Sequence, residues 1–193
     1  RPVIDALSDF AFYQTGALEK PVVALDHLEP FLQAGVPGLW TYYCVGQFWK
    51  VTNSFMAMPA ARTRMLGVQL YRYQLEGFLQ WGYNFYHTQL SLANLNPYEV
   101  TDAGGVFPSG DAFQVYPGAD GKPEESLRFM LNHLAMQDLR ALEALEALQG
   151  REKVLRLLEE CAQGPLTLTD YPRDAAFFDR LRQRVNKELS GRL

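Results

Sequence analysis

The 193-residue sequence is poor in cysteine, has no excess of positive charge and contains no long hydrophobic run. Its two cysteines, Cys44 and Cys161, are too few and too far apart for a disulfide framework or a zinc site. Lysine and arginine number 18 against 22 aspartates and glutamates, which argues against nucleic-acid binding. No stretch of about 18 apolar residues predicts a membrane-spanning helix. A composition of 48% hydrophobic and 21% charged residues excludes disordered, collagen-like and coiled-coil classes.

Several motifs of catalysis and cofactor binding are also missing. No Gly-rich phosphate loop follows a predicted strand, and no GxSxG sequence is present. The three histidines, His27, His87 and His133, lack the spacing of a metal site. The acidic pairs at 124–125 and 159–160 are expected on solvated helix faces, the first in the first turn of a helix. We therefore expect neither a metal nor a cofactor.

Turn signals and apolar patterns predict alternating strands and helices. The opening residues resemble the interior of a longer chain that begins at or just before a strand. Predicted strands cover residues 3–7, 39–45, 78–85 and 113–116, the last within a long loop over residues 87–122. Predicted helices cover residues 22–34, 59–77, 124–149, 151–163 and 174–190.

Alternation of this kind favours parallel strands and an α/β fold. Four parallel strands with their helices make half of a (β/α)8 barrel of TIM type, which needs about 250 residues when complete. A doubly wound open sheet is the alternative. We assign residues 1–122 to the C-terminal half of the barrel and residues 123–193 to its last helix and the C-terminal helices of the same domain. Because half a barrel cannot close its sheet, the expected partner is a missing N-terminal half of the same protein or a second copy in a homodimer.

Aromatic residues make up 13% of the chain, and all three tryptophans lie between Trp40 and Trp81. The predicted strand that contains Trp81 carries amides and a glycine on one face, which is unusual for a buried parallel strand. If that face points into the barrel, Asn84, Tyr86 and His87 lie at the carboxyl rim, where barrel active sites are found. Aromatic rings and amides together are the contacts that sugars need. The alternative is that these aromatics fill a bulky core.

Tyr42 and Tyr43 lie towards the end of a second predicted strand, and the sequence leaves open which of the two faces the pocket. The adjacent Cys44 has no basic partner nearby in the sequence, so an inert thiol is expected. Asp138 lies at the centre of a leucine-rich helix stripe, where a carboxylate must find a partner. This predicts a buried salt bridge with an arginine, the candidates being Arg62, Arg64 and Arg128.

A series of short motifs extends over nearly the whole chain. They are, in order, WTYYC (40–44), RTRMLGVQL (62–70), GFLQWGYN (77–84), NPY (96–98), GDAF (110–113), YPG (116–118), SLR (126–128), DLR (138–140), YP (171–172) and LRQRVN (181–186). In this order they resemble the C-terminal part of the glycoside hydrolase family 123 catalytic domain and its uncharacterised bacterial relatives. The ordered series is far more specific than any single motif.

The resemblance implies a (β/α)8 barrel and retaining, substrate-assisted hydrolysis of β-linked N-acetylgalactosamine. It places an acid/base Glu and its neighbouring Asp after an upstream strand, and because this chain has no matching pair, no catalytic residue is assigned. The sugar-binding candidates that remain are Trp40, Tyr42, Trp81, Asn84 and Tyr116. A carbohydrate substrate is expected, with neither nucleic acid nor membrane as a partner. The alternatives are a non-catalytic carbohydrate-binding module and a dimerising structural domain.

Overall fold

A computed structural model describes residues 3–191. Its strands are β1 (Ile4–Ala6), β2 (Lys20–Ala24), β3 (Trp40–Tyr42), β4 (Gly77–Leu79), β5 (Val115–Pro117) and β6 (Pro123–Glu125). Its α-helices are α1 (Phe10–Tyr13), α2 (Glu29–Gln33), α3 (Ala60–Arg72), α4 (Leu127–Gln149), α5 (Arg151–Ala162) and α6 (Ala175–Ser190). Short 3-10 turns cover Leu25–His27 and Gln89–Ser91.

Strands β1 to β4 form a parallel sheet in the order β1-β2-β3-β4. The predicted α/β class and the parallel strands are therefore confirmed. Strand β5 corresponds to the strand predicted around residues 113–116, but it pairs with β6 in a separate antiparallel hairpin. The fourth strand of the parallel sheet is instead β2, which lies before β3 in the chain.

The predicted helix over residues 22–34 is wrong in its first half. Lys20–Ala24 is strand β2, in which Val22 and Val23 are buried on opposite faces of the sheet. Helix α2 begins only at Glu29. In a short run of apolar residues that is buried on both sides, the spacing of those residues does not distinguish a strand from a buried helix. The β-branched valines and pairing with both β1 and β3 favour the strand.

Three further boundaries differ from the sequence predictions. Gly77 begins β4 and does not end the preceding helix, because the chain already turns at Gln74, where φ is +52°. Strand β4 ends at Leu79, so residues 80–85 leave the sheet as a loop. Glu124 and Glu125 form β6, and helix α4 begins only after Ser126, whose side chain accepts a hydrogen bond from a first-turn N–H group.

The strand register gives the parallel sheet two different faces. Val23, Thr41 and Phe78 lie on one face, and a core cluster joins this face to helix α3. The opposite face carries side chains one residue out of step with these, because successive strand residues point to opposite sides. Val22 and Ala24 of β2 are buried on this face, but its side chains are half-buried or exposed at Ile4, Trp40, Tyr42 and Leu79, and we call it the open face.

Helices α3 to α6 pack around a second core beside the sheet. Helices α3 and α4 are in close contact at Gly67, where a Cβ atom would overlap the backbone carbonyl oxygen of Ala135. Glycine therefore permits the contact between the two helix backbones. None of the helices in the described part of the chain combines the length and hydropathy of a membrane span.

Asp138 joins three of these helices through its carboxylate, which is 3% exposed. Oδ2 accepts a hydrogen bond from Nε of Arg64 on α3 at 2.7 Å, and Oδ1 accepts one from Arg182 on α6. The predicted buried salt bridge is confirmed, with Arg64 among the partners that were named. Arg62 and Arg128 instead donate to backbone carbonyl groups. Arg182 is 44 residues away in the sequence, and no local pattern indicates it.

Candidate functional site

Two long loops lie at the carboxyl end of the parallel sheet. Residues 43–59 follow β3, and residues 80–114 follow β4. The loops are joined by their backbones, since the Met56 N–H donates to the carbonyl of Ser109 at 2.9 Å. We call this region the carboxyl edge. Proteins with parallel sheets place functional residues there, because the ends of several strands converge on it.

Trp40 and Tyr42 lie on the open face of the sheet. The Trp40 ring lies against Gly77, where a Cβ atom would overlap the indole, and Nζ of Lys20 is 5.4 Å from its centroid. Its Nε1 atom is buried and has no hydrogen-bond partner among residues 3–191. Tyr42 is half-buried and closer to the carboxyl edge. Tyr43, the alternative that the sequence left open, lies on the opposite face and is 1% exposed.

Trp81 and Asn84 lie together in the loop that follows β4. The Trp81 side chain is 36% exposed, and its ring centroid is 5.7 Å from that of Phe85 and 5.5 Å from that of Phe107. Asn84 is exposed, and its backbone forms a bridge to Phe113. Both side chains are therefore accessible to a ligand at the carboxyl edge.

Tyr116 lies on β5 and packs against two other aromatic rings. Its ring stacks on Tyr98 at 4.9 Å and makes an edge contact with Phe113 at 5.1 Å. It lines a groove of about 420 Å³ between the loop after β3 and the start of α4, and none of the other four candidates lines that groove. The structure therefore does not place Tyr116 in one cavity with them.

Tyr86 and His87 stabilise the loop after β4. The Tyr86 hydroxyl donates to the carbonyl of Val115 at 2.7 Å. The His87 ring packs on Phe85 at 5.3 Å, and the backbone of His87 forms a bridge to Asn94. These contacts are thus with the loop itself and with the adjoining strand β5.

A buried polar network lies beneath the carboxyl edge, and the sequence analysis did not find it. The Tyr43 hydroxyl donates to Oδ1 of Asn132 at 3.5 Å, and Nδ2 of Asn132 donates to Oε1 of Gln114 at 3.3 Å. Nε2 of Gln114 donates in turn to Oγ of Ser54 at 3.1 Å. Burial raises the pKa of Tyr43 to about 12, so the phenol stays neutral and remains a donor. The network connects both loops with α4.

A second polar cluster lies where β2 and β3 end. The Cys44 thiol donates to Oε1 of Gln47 at 3.4 Å, and Nε2 of Gln47 donates to Oδ1 of Asp26 at 3.0 Å. The same oxygen is 2.8 Å from Nδ1 of His27. The thiol thus contacts an amide rather than an imidazole, as expected of an inert cysteine. Across residues 3–191, no three His, Cys, Asp or Glu side chains are grouped as a metal site would require.

Asp111 is a buried carboxyl group at the carboxyl edge that the sequence analysis also missed. It is 2% exposed, and its Oδ2 atom has no hydrogen-bond partner among residues 3–191. Burial raises the pKa of Asp111 from 3.8 to about 6, although the nearby Trp81 indole and the charge of Arg128 both lower it. The signal that could have indicated it is an acidic residue between glycine and apolar residues in the GDAF motif.

The raised pKa predicts that Asp111 makes stability depend on pH. The folded protein keeps this proton up to about pH 6, while the unfolded chain loses it near pH 3.8, so the free energy of unfolding falls as pH rises through this window. The full shift corresponds to about 3 kcal/mol. We expect Asp111→Asn to be about 1–2 kcal/mol more stable than wild type at pH 8 and to lose this advantage below pH 4, in urea denaturation.

Asp179→Asn is the matched control for this measurement. Asp179 is exposed on α6, so its substitution should change the free energy of unfolding by less than about 0.5 kcal/mol at either pH. A difference between Asp111→Asn and wild type that is the same at pH 4 and pH 8 would contradict the prediction.

Comparisons with known proteins place this architecture in a family. The family model described as "Glycoside hydrolase 123, catalytic domain" matches residues 1–145. Among solved structures, the chain is similar to a family 123 glycoside hydrolase from Clostridium perfringens, whose study concerns glycolipid glycan hydrolysis. That similarity has a TM-score of 0.59 at 16% identity and covers 97% of this chain and 34% of the other.

The two findings differ in what they establish. The structural similarity, at 16% identity, concerns the fold, and this chain spans about a third of the length of the Clostridium enzyme. No curated protein sequence matches the chain significantly. The family match, in contrast, extends over most of the chain and includes β1 to β6 and nearly all of α4. The chain therefore belongs to glycoside hydrolase family 123.

Proposed function

We propose that this chain forms the C-terminal half of a (β/α)8 barrel of TIM type and supplies the sugar-binding wall of a glycosidase. Residues 1–122 contribute the barrel strands, and residues 123–193 contribute the last barrel helix and the C-terminal helices. The substrate in this proposal is a glycan with a β-linked N-acetylgalactosamine, as the sequence resemblance implies. Glycolipid glycans, which are named for the Clostridium enzyme, are one candidate source.

The observation that carries the proposal is the open face of the parallel sheet. Parallel sheets are normally covered on both faces. Here Val22 and Ala24 are buried, but Ile4 and Leu79 are exposed and Trp40 and Tyr42 are half-buried, while the opposite face packs against α3. In a (β/α)8 barrel, side chains from the other strands fill the space beside such a face. The rest of a barrel would therefore bury these apolar and aromatic groups.

Trp81 and Asn84 offer the two kinds of contact that a sugar ring uses. The partly exposed indole of Trp81 can stack on the apolar C–H face of a pyranose. The amide of Asn84 can donate to and accept from hydroxyl or acetamido groups. Both follow β4 and Tyr42 ends the neighbouring strand β3, so all three belong to adjoining parts of one binding surface.

The bond-breaking groups of the proposed reaction lie outside this sequence, which contains no adjacent Asp-Glu pair. In substrate-assisted hydrolysis, one carboxyl group orients the acetamido oxygen of the substrate for attack on the anomeric carbon. The other protonates the leaving glycosidic oxygen and later activates water. We propose that a preceding segment of the same protein carries this pair and that Trp81 and Asn84 hold the sugar against it.

Hydrolysis of a chromogenic β-N-acetylgalactosaminide tests the proposal. A protein that includes the preceding segment should cleave it, whereas the 193-residue chain alone should not. Trp81→Ala should lower kcat/KM about tenfold, because a lost stacking contact is worth about 1–1.5 kcal/mol.

Phe12→Ala is the matched control for this assay. Phe12 is an exposed aromatic residue on α1, outside the proposed binding surface, so kcat/KM should stay within about twofold of wild type. A longer protein that leaves β-N-acetylhexosaminides intact would overturn the proposed activity. Equal losses for the two variants would overturn the role of Trp81.

In the alternative arrangement, a second copy of the chain packs against the open face. In the described residues β1 and β4 are the two edges of the sheet, and unpaired strand edges favour association. Sedimentation of the 193-residue chain separates the possibilities, since a stable dimer would favour a dimerising structural domain. Glycan binding by that chain without hydrolysis in any longer form would favour a carbohydrate-binding module.

A further inference from the structure

Arg128, at the start of α4, is a buried cation without a close counter-ion. The residue is 7% exposed, and the ion pairs within 4.0 Å among residues 3–191 do not include it. Its Nη1 atom donates to the carbonyl groups of Gly110 and Phe113, whereas Nη2 is buried and has no hydrogen-bond partner among the same residues. A buried charge without a partner carries a large cost in lost hydration. An anion in contact with Nη2 would offset this cost.

The same residue lies at the positive end of a helix dipole. Helix α4 has 23 residues, and its first turn contains no acidic side chain. The N–H groups of Leu127 and Arg128 cannot bond within the helix, and none of the other backbone hydrogen bonds among residues 3–191 uses them. Ser126 accepts only from the N–H of Phe129, at 3.2 Å. The guanidinium, the dipole and the free N–H groups therefore all attract an anion to the start of α4.

The start of α4 is one wall of the groove that Tyr116 lines. This groove has a volume of about 420 Å³, which is within the range of small-molecule sites, and Leu127 and Arg128 belong to its lining. Apolar side chains form much of the rest, namely Phe55, Met56, Met58, Ala60 and Leu131. Met56 is 40% exposed and Leu127 is 71% exposed, so apolar surface of the groove faces solvent. A ligand here would meet apolar walls beside a site that attracts negative charge.

The charged side chains of the groove favour a ligand with one negative charge. Among the described residues that line it, Arg128 is the only cation and Glu125 is the only acid. Glu125 is exposed and takes part in no ion pair within 4.0 Å among residues 3–191. Asp111 attracts Arg128 from beyond that distance. A single cation balances a monoanion such as a carboxylate, whose planar shape suits a guanidinium. A dianion would retain excess negative charge beside Glu125.

We propose that this groove binds a small monocarboxylate with an apolar body. The carboxylate accepts hydrogen bonds from Nη2 of Arg128 and from the free N–H groups at the start of α4, and the apolar body lies against the methionine and leucine side chains. The site goes beyond the proposed glycosidase activity, in which Arg128 has no part, so each can fail without the other.

Met56 lies beside the guanidinium and controls access to it. A Cβ atom at Gly110 would lie 2.7 Å from Nη1 of Arg128 and 3.0 Å from Cγ of Met56, so the two side chains converge on this glycine. Both also line the groove. An unbranched methionine side chain changes rotamer readily. Its displacement by the ligand brings the carboxylate to Nη2.

Calorimetric binding of 3-phenylpropanoate to the 193-residue chain tests the proposal. We expect a dissociation constant below about 1 mM, and binding at least about tenfold weaker for 3-phenylpropanol, which lacks the charge. Glucuronate, a carboxylate with a polar body, should also bind at least about tenfold more weakly. Equal binding of the acid and the alcohol would overturn the role of the anion, and tighter binding of glucuronate would overturn the ligand class. An acid that does not bind at about 10 mM would overturn the site.

Leu127→Glu tests the location of the site. Arg128 itself holds two loop carbonyls, so its replacement would disturb the loop, whereas Leu127 is 71% exposed and a glutamate in the first turn suits the helix dipole. The variant should keep or raise Tm and bind 3-phenylpropanoate at least about fivefold more weakly, because its carboxylate repels that of the ligand. Leu127→Gln is the matched neutral control and should bind within about twofold of wild type. Equal binding by the two variants would overturn the placement of the carboxylate at the start of α4.

Discussion

Replacing Asp138 by alanine is expected to lower the free energy of unfolding by about 3–5 kcal/mol. The substitution removes the carboxylate between Arg64 on α3 and Arg182 on α6 and leaves two cations facing each other. Arg64 cannot easily turn into water, because its guanidinium also lies 4.6 Å from the ring of Phe178. Urea denaturation at pH 7 measures the loss.

Asp179→Ala provides the comparison for this prediction. Asp179 is exposed on α6, three residues before Arg182, so its loss should change the free energy of unfolding by less than about 0.5 kcal/mol. A loss below about 1 kcal/mol for Asp138→Ala would show that the carboxylate is solvated, and the three-helix ion pair would then be wrong.

An alanine at Gly67 is expected to destabilise the protein by about 3 kcal/mol, although alanine is usually the better helix former. Its Cβ atom would overlap the carbonyl oxygen of Ala135, which belongs to the backbone of α4 and cannot rotate aside. Helices α3 and α4 would have to move apart, and both helices contribute to the core beside the sheet. Thermal denaturation should show Tm lower by about 6–12 °C.

Gly164→Ala is the matched control for Gly67. Gly164 has no atom within 4 Å of the position of a Cβ, and its φ lies outside the left-handed region, so Tm should change by less than about 2 °C. An unchanged or higher Tm in Gly67→Ala would show that the close approach of the two helices is not required.

The two buried carboxyl groups, Asp138 and Asp111, differ in how they are paired. Asp138 has two arginine partners and joins helices that lie away from the carboxyl edge. Asp111 has an unpaired oxygen and a raised pKa at the carboxyl edge. A fully paired carboxylate suits a structural role, whereas an incompletely paired one suits a functional role. This contrast is why we expect opposite effects on stability from removing the two charges at neutral pH.

Much of the helical structure was predictable because its signals are local. Helix α4 begins after Ser126 and α6 after Asp174, and each of these side chains accepts a hydrogen bond from a first-turn N–H group. Gly150 separates α4 from α5, as the sequence indicated. The leucine stripe of α4 also correctly predicted a buried partner for Asp138, because helix periodicity states which residues share a face.

The errors in the sheet have one common cause. Residues 20–24 and 77–79 are strands of only five and three residues, and their identity depends on pairing with neighbours that are distant in the sequence. A pattern within so short a segment cannot distinguish a strand from the end of a helix or from a loop. The same limit applies to residues 80–85, where the side chains alternate in type as in a strand although the chain leaves the sheet after Leu79.

At the candidate site, the kinds of residue were predictable and their arrangement was not. The sequence indicated Trp81 and Asn84 as pocket residues; both are exposed in the loop after β4, and their role in sugar binding stays a prediction. It gave no means to separate Tyr116 from them or to choose Tyr42 over Tyr43. Burial and contacts between loops make that distinction, and both depend on how the strands are paired.

The amino-acid sequence alone determined the α/β class, the helical C-terminal part and the family, since these depend on local periodicity, on caps and on ordered motifs. The tertiary structure alone decided that β2 occupies the sheet, that Ile4 and Leu79 stay exposed on one sheet face and that the Asp111 carboxyl group is buried. These features arise when segments far apart in the chain bury one another from water. The free energy of that burial depends on contacts between the segments, which no single segment specifies.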